Sequence, residues 1–167
     1  HDTVRRQRQM CIRDSKNGVN VVLDLGANIE CDEKNLVDFA ELGAALHKSL
    51  FPNDISKVSL LNIGSEEIKG TEILKDAYKK LKNLSGENNF IFKGYSEGNT
   101  IMSGESNVIV TDGFTGNIAL KTAEGTAKFI TDSLKDSLKE NFFTKISTFF
   151  SYFSLKKFKS KLDPRKY

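Results

Sequence analysis

The sequence predicts an α/β fold, a three-layer arrangement in which helices cover a mostly parallel sheet. Three observations lead to this class: short apolar runs rich in β-branched residues, amphipathic segments between them, and glycine-containing loops after the runs. Continuous apolar runs are typical of strands that are buried on both faces. Strands that alternate with helices at these intervals indicate βαβ crossovers and therefore a parallel sheet.

Four segments are predicted as strands and three as helices. The strands are the apolar runs at residues 19–25, 58–63, 90–93 and 108–111. The first helix is predicted from a cap at Asp32 to about Phe51, because apolar positions repeat there every three or four residues. The second helix is predicted over residues 72–84, where a Ser-Gly pair ends it, and the third over residues 116–139.

Three loops leave the predicted strand ends with a glycine close to an amide or a charged residue. They span residues 24–28, 62–70 and 112–117, with the sequences DLGAN, NIGSEEIKG and DGFTGN. Sites in parallel sheets collect at the carboxyl ends of the strands, where loops meet helix starts. The three loops are therefore expected to line one crevice.

The DGFTGN loop predicts an anion site if the next helix begins at Gly116 and Asn117. The first N–H groups of that helix would be free, and the glycines would let a ligand approach the backbone. Such a helix end favours phosphate or a developing oxyanion. The alternative is structural: Asp112 and Gly113 form a turn, and Asn117 lies in the first helical turn without binding anything.

The NIGSEEIKG loop has only a superficial likeness to a nucleotide-binding P-loop. Lys69 precedes Gly70, whereas the nucleotide motif needs glycine, then lysine, then serine or threonine. A lysine at this strand end could pair with an anion or could be a solvated surface residue. No Ser-His-acid or Cys-His pattern is visible, which disfavours a covalent acyl-enzyme.

Cysteine, histidine and charge content exclude several classes of function. Cys31 is the only cysteine after residues 1–16, there are two histidines, and no CxxC pair occurs, which argues against a zinc site. We therefore expect no metal and no cofactor. Residues 1–16 hold five of the 25 basic and two of the 22 acidic side chains, so the remainder has 20 of each. This balance gives no support to nucleic-acid binding.

Residues 1–16 differ in composition from the rest of the chain. They contain four of the five arginines, whereas the later sequence uses lysine almost exclusively. The segment lacks the apolar core of a secretory signal, and its acidic residues are atypical of a transit peptide. We expect a non-native leader or a disordered basic arm, followed by one domain over residues 17–167.

Residues 141–161 combine six phenylalanines and five lysines with no acidic residue. The apolar side chains recur on one face of a helix, which could belong to a protein core or to a membrane-surface helix. The lysines favour the membrane surface. No run reaches the length of a spanning helix, so the expected contact is peripheral. The residues expected to contact the membrane are Phe142, Ile146, Phe149, Phe150, Phe153, Lys156 and Lys157.

Four motifs resemble the PlsX family of bacterial phosphate acyltransferases in their order and spacing. They are VVLDLGAN, LLNIGSEEIKGTE, VIVTDGFTGNIALKTAEG and KLDPRKY, and the resemblance covers residues 19–167. It implies transfer of a fatty acyl group from acyl carrier protein to inorganic phosphate, giving acyl phosphate for phospholipid synthesis. It also implies a fold like that of phosphate acetyltransferase and of the isocitrate and isopropylmalate dehydrogenases.

Members of the family extend beyond this chain at both ends, so the resemblance implies a partial domain from their carboxyl-terminal half. The isolated chain could therefore be inactive. The resemblance further implies a cytoplasmic homodimer that associates peripherally with the membrane surface. Acyl phosphate would pass from it to an integral-membrane glycerol-phosphate acyltransferase.

The resemblance also assigns roles to individual residues. The family's lysine in NIGxExxKG falls on Lys69 and its asparagine in DGFxGN on Asn117, and these two are the expected catalytic residues. Lys69 would hold phosphate or offset its charge, while Asn117 and nearby N–H groups would orient phosphate or the oxyanion. Asp112 is assigned a supporting role. The residues expected to bind substrate or phosphate are Asn28, Asn62, Gly64, Asp112, Gly113 and Gly116.

Two further functions stay open at this point. The chain could belong to a phosphate acetyl- or butyryltransferase that uses coenzyme A, which differs in acyl-chain length and in carrier. It could also be a non-catalytic module that associates with membranes or forms dimers.

Overall fold

The computed structural model describes residues 10–15, 18–86 and 90–139. The chain divides into two compact units, residues 1–119 and residues 120–167, and the candidate site lies in the first unit. Within the described ranges, no helix is both long and apolar enough to cross a lipid bilayer. The residues predicted to contact a membrane lie outside the described residues: Phe142, Ile146, Phe149, Phe150, Phe153, Lys156 and Lys157.

Five strands form one sheet in the described part of the chain. They are β1 (Met10–Ser15), β2 (Gly18–Leu23), β3 (Ser56–Leu61), β4 (Phe90–Ser96) and β5 (Val108–Val110). The order across the sheet is β1-β2-β5-β3-β4, and all neighbours are parallel except β1 and β2. The predicted α/β class and the four parallel strands are confirmed. The sequence predicted no strand before residue 19, so β1 is an additional element.

The short strand β5 lies at the centre of the four parallel strands. Val108 pairs with Val21 on one side and with Val58 on the other. All three residues of β5 are buried, which explains its uninterrupted apolar sequence, because a central parallel strand is covered on both faces.

Three helices lie within the described ranges: α1 (Glu33–Leu50), α2 (Glu72–Leu84) and α3 (Gly113–Lys139). Asp32 caps α1 as predicted, and its carboxylate accepts the N–H of Asn35 at 2.7 Å. Thr71 caps α2 through the N–H of Leu74 at 3.3 Å. Capping side chains satisfy N–H groups that have no partner within the helix.

Helix α3 begins at Gly113, three residues earlier than predicted. The reason is Asp112, whose carboxylate accepts the backbone N–H of Thr115 at 2.8 Å and its hydroxyl at 2.7 Å. This is the geometry of a helix cap, which allows the residues after Asp112 to turn helical at once.

Helix α1 packs closely on the centre of the sheet because Gly43 has no side chain. A Cβ at Gly43 would lie 2.5 Å from Cγ1 of Val108 and 2.8 Å from Cδ1 of Leu23. Helices α1 and α2 also pack against each other. The resulting core holds β2, β3 and β5 in register, which fixes the positions of the loops at their carboxyl ends.

Candidate functional site

The loops at the carboxyl ends of the parallel strands border one cleft of about 1120 Å³. Its lining includes residues after β2 and β3, Gly98 after β4, the starts of α1, α2 and α3, and Leu61 at the end of β3. Two of the three predicted loops, residues 62–70 and 112–117, contribute to the lining, whereas residues 24–28 do not, and the chain after β2 enters it only from Ile29 onward. The cleft lies where ligands bind in open α/β sheets.

The loop after β2 is organised by the side chain of Asp24, which is 0% exposed. One carboxylate oxygen accepts the N–H groups of Gly26 and Ala27, each at 3.0 Å. The other accepts the backbone N–H of Asn28 at 2.6 Å and its side-chain amide at 2.8 Å. The amide nitrogen of Asn28, a predicted substrate ligand, is therefore already bonded within the protein.

This loop packs directly on the first turn of α3. The N–H of Gly113 donates to the carbonyl oxygen of Asn28 at 2.8 Å. A Cβ at Gly113 would lie 2.5 Å from that oxygen, and a Cβ at Gly116 would overlap the carbonyl oxygen of Asp24. The two glycines of DGFTGN are thus required by close approach of backbone to backbone.

The prediction that the N–H groups around Gly116 are free is wrong, because these groups already donate to acceptors within the protein. The N–H of Gly116 donates to the carbonyl oxygen of Asp112 at 2.9 Å, while Thr115 and Gly113 donate to Asp112 and Asn28. Because the helix begins at Gly113, these donors are already satisfied. The side chain of Asn117 remains exposed and lies next to Gly26, whose Cβ would be 3.5 Å from the Cβ of Asn117.

The loop after β3 is closed by the amide of Asn62. Its Nδ2 donates to the carbonyl oxygen of Lys69 at 3.1 Å, and its Oδ1 accepts the N–H of Ile63 at 2.8 Å. Gly70 has a φ of 94° and approaches Asn62 so closely that a Cβ would lie 2.7 Å from Oδ1. Asn62 therefore shapes the loop that carries Lys69.

The ammonium group of Lys69 is paired with Glu66 of the same loop at 2.8 Å. The hydrogen bond that Lys69 donates to Glu66 raises the pKa of Lys69, and Glu97 adds to the effect through its charge. The side chain folds over Gly64, where a Cβ would lie 2.8 Å from Nζ. Lys69 is therefore cationic and half exposed, and an arriving anion would compete with Glu66 for it.

Cys31, which also lines the cleft, lies among negatively charged side chains. Burial raises the pKa of its thiol, and the negative charges of Asp24, Asp112 and Asp32 raise it further. A thiol with a raised pKa is a poor nucleophile near neutral pH. Asp24 and Asp32 follow β2 and Asp112 follows β5, whereas the loop after β3 carries Lys69 together with Glu66 and Glu67.

The walls of the cleft are largely apolar. Leucines from α1, β3 and α2 line it, and several isoleucine side chains are both exposed and part of the lining. Grouped exposed side chains of this size are typical of a binding surface. The exposed lining isoleucines are Ile29, Ile63, Ile73 and Ile118.

The structure brings the predicted site residues close to one cleft without placing all of them in its wall. Asn62 and Asp112 line it. The other predicted residues, described above, surround it without belonging to its lining: Asn28, Gly64, Lys69, Gly113, Gly116 and Asn117. Sequence reasoning missed Asp24 and Thr115. An acid before Gly-Ala-Asn at a strand end was the available signal for Asp24.

No group of three or more His, Cys, Asp or Glu side chains among residues 10–15, 18–86 and 90–139 is arranged to hold a metal ion.

Comparison with known proteins identifies relatives over nearly the whole chain. A family model described as "Fatty acid synthesis protein" matches residues 5–167. The phosphate acyltransferase of Pelagibacter ubique is 60% identical over 153 residues, which are 92% of this chain and 46% of that protein. The phosphate acyltransferase of Dinoroseobacter shibae is 42% identical over 152 residues, 91% of this chain and 40% of that protein.

A solved structure supports the fold. The EutD phosphotransacetylase from Staphylococcus aureus superposes with a TM-score of 0.54 at 16% identity, covering 71% of this chain and 41% of that one. The chain spans less than half the length of the curated relatives named above. Because the family model matches almost every residue, the chain belongs to the fatty acid synthesis protein family, the PlsX family that its motifs resemble.

Proposed function

We propose that this chain forms part of a phosphate acyltransferase that transfers a fatty acyl group from acyl carrier protein to inorganic phosphate. The single observation that carries the proposal is the cleft at the carboxyl ends of the strands, which combines apolar walls with bordering polar loops. The relatives named phosphate acyltransferase support the same reaction.

The acyl chain suits the apolar walls of the cleft, and the phosphate suits the cationic side chain of Lys69. An acyl chain is accommodated by the isoleucine and leucine walls, since burial of each CH₂ group contributes about 0.8 kcal/mol. Phosphate is attracted to the ammonium group of Lys69, which exchanges Glu66 for the ligand. The acidic side of the cleft, around Asp112 and Asp32, repels phosphate and so favours its placement at the loop after β3.

In this reaction a phosphate oxygen attacks the thioester carbonyl carbon, the carbon–sulfur bond breaks, and the carrier leaves as a thiolate. Lys69 offsets the charge of the attacking phosphate. Asn117 donates its side-chain amide to the developing oxyanion or to phosphate. The backbone N–H groups of Gly113 and Gly116 play no part, because both already have acceptors in the protein.

Several partners belong to the same proposal. They are acyl carrier protein, inorganic phosphate, a second copy of the chain, and an integral-membrane glycerol-phosphate acyltransferase that consumes the product. We propose a cytoplasmic enzyme that binds membranes peripherally through residues 141–161, whose lysines would meet anionic lipid.

The proposal is tested in a chimera, because the chain matches less than half of its relatives. This chain replaces the matching 153 residues of the Pelagibacter ubique protein, and the unmodified relative serves as the control. Formation of acyl phosphate from long-chain acyl carrier protein and radiolabelled phosphate is the expected result. Exclusive use of acetyl- or butyryl-coenzyme A would support the alternative transferase. Loss of all activity in the chimera alone would favour a non-catalytic module.

A further inference from the structure

A buried carboxylate lies under the candidate site and has no part in the chemistry proposed above. Asp24 follows β2 directly, and its two side-chain oxygens accept four hydrogen bonds of 2.6–3.0 Å. All four donors belong to the next few residues, Gly26, Ala27 and Asn28. The backbone of Asp24 is fixed as well, since its N–H donates to the carbonyl oxygen of Thr111 at 2.9 Å.

The loop held by Asp24 is in contact with the start of α3 at two points. Asn28, fixed through its own N–H groups, accepts the N–H of Gly113 at 2.8 Å. The carbonyl oxygen of Asp24 lies against Gly116, where a Cβ would overlap it. Asn117 directly follows Gly116 near the start of α3, so its position depends on how the loop holds this part of the helix, and the loop depends on Asp24.

Only a carboxylate can accept all four hydrogen bonds that residues 26–28 donate to position 24. It has two oxygens and no donor, so it can face N–H groups from all sides. An asparagine at position 24 has one oxygen, and its NH₂ group would point at donors of the loop. Donors of this part-buried loop would then face another donor, which would drive the loop into another conformation.

We propose that Asp24 is a positioning residue: it holds residues 26–28 against the start of α3 and so fixes the Asn117 amide for phosphate. The role of Asn117 rests on the proposed function, whereas the packing of the loop is a feature of the fold.

The first experiment titrates the full 167-residue chain with inorganic phosphate and follows the side-chain amide signals of Asn117 by NMR. Asp24→Asn should weaken the apparent phosphate affinity about tenfold, as expected for a lost orienting contact. The affinity is read from a titration midpoint, which does not depend on the fraction of folded protein. Ser56→Ala is the matched control, because it removes two buried hydrogen bonds at the opposite end of β3. It should bind phosphate like the wild type.

A double variant of Asp24 and Asn117 distinguishes a positioning role of Asp24 from general destabilisation of the protein. If Asp24 acts through Asn117, Asp24→Asn added to Asn117→Ala should weaken binding no further. Wild-type affinity in Asp24→Asn, or losses that simply multiply in the double variant, would overturn the proposal. An equal loss in Ser56→Ala would do the same.

Hydrogen exchange of the wild-type chain keeps the proposal testable if Asp24→Asn does not fold. The backbone amides of Gly26, Ala27 and Asn28 should exchange as slowly as those of β2. Rapid exchange of these amides in folded protein would overturn the positioning role. A protected loop in a chain that gives no phosphate response at Asn117 would count against the proposed function instead. If phosphate gives no response, a folded Asp24→Asn variant must still shift the Asn117 amide signals relative to the wild type. Unchanged signals would refute the positioning role of Asp24.

Discussion

The backbone carbonyl of Asn28 accepts the first N–H of helix α3, that of Gly113, at 2.8 Å. This bond joins the loop after β2 to the helix after β5, and these two strands are neighbours in the sheet. The sequence segments DLGAN and DGFTGN, more than 80 residues apart, therefore form one structural unit. Its glycines serve close backbone packing, and its polar side chains surround the cleft.

Replacement of Gly116 by alanine should destabilise the protein. The new Cβ would overlap the carbonyl oxygen of Asp24, and such overpacking costs about 1–3 kcal/mol of unfolding free energy. Urea denaturation measures the change. Gly125→Ala in the same helix is the control, because nothing lies within 4 Å of its Cβ. That variant should instead gain about 0.5–1 kcal/mol from helix propensity. Equal effects of the two substitutions would contradict the close approach at Gly116.

The buried His47 should make stability depend on pH near neutrality. Its Nδ1 lies 3.0 Å from Oγ of Ser56, and Ser56 donates to the carbonyl oxygen of Ala44. Burial lowers the pKa of His47, with the charge of Asp54 opposing the effect. The folded protein therefore favours neutral imidazole, whereas the unfolded chain takes up a proton below about pH 6.5.

The sign of the effect follows from proton uptake. Stability from His47 is complete above the unfolded pKa and is lost as pH falls towards the lower folded pKa. Between pH 7.5 and 5.5 the loss should be at most about 1.4 kcal/mol. His47→Asn retains a donor for Ser56 but does not titrate, so its unfolding free energy should vary less over this range. Identical pH profiles for both proteins would show that His47 is not buried as a neutral ring.

Lys69→Ala and Asn117→Ala should each slow acyl-phosphate formation in the chimera. Removal of a true electrostatic contact costs about 2–4 kcal/mol in the transition state, or about 30- to 1000-fold in kcat/KM. Lys79→Ala is matched to Lys69→Ala, because Lys79 forms an exposed ion pair with Asp76 as Lys69 does with Glu66. It should retain normal turnover. Near-normal rates in the Lys69 and Asn117 variants would remove both from the proposed mechanism.

Residues 141–161 should bind anionic vesicles at low salt, where the attraction of lysines to lipid is strongest. Substitution of both Phe149 and Phe153 by serine should abolish co-sedimentation with the vesicles. Phe129→Ser provides the control, since Phe129 is an exposed phenylalanine outside the segment. Binding that survives the double substitution, or fails already in the wild type at low salt, would contradict the membrane role.

Local sequence patterns were sufficient to predict helix α1 and the parallel strands, because residues within these elements determine their structure. Asp32 and the apolar repeat after it predicted α1, and the β-branched runs predicted the parallel strands. The start of α3 was misplaced, because Asp112 could be read either as the end of a turn or as a cap. Its hydrogen bonds to Thr115 decide between the two.

The sequence by itself determined the α/β class, the strand-end loops and the family, because periodicity, glycine spacing and motif order are properties of the chain. Only the tertiary structure decided how the loops are used. It brings β5 between β2 and β3, so that the loop fixed by Asp24 meets the glycines of α3. Which N–H groups are satisfied, and which charges face one another, depends on distances between segments that are remote in sequence. Those distances arise from packing of the core and cannot be obtained from local sequence alone.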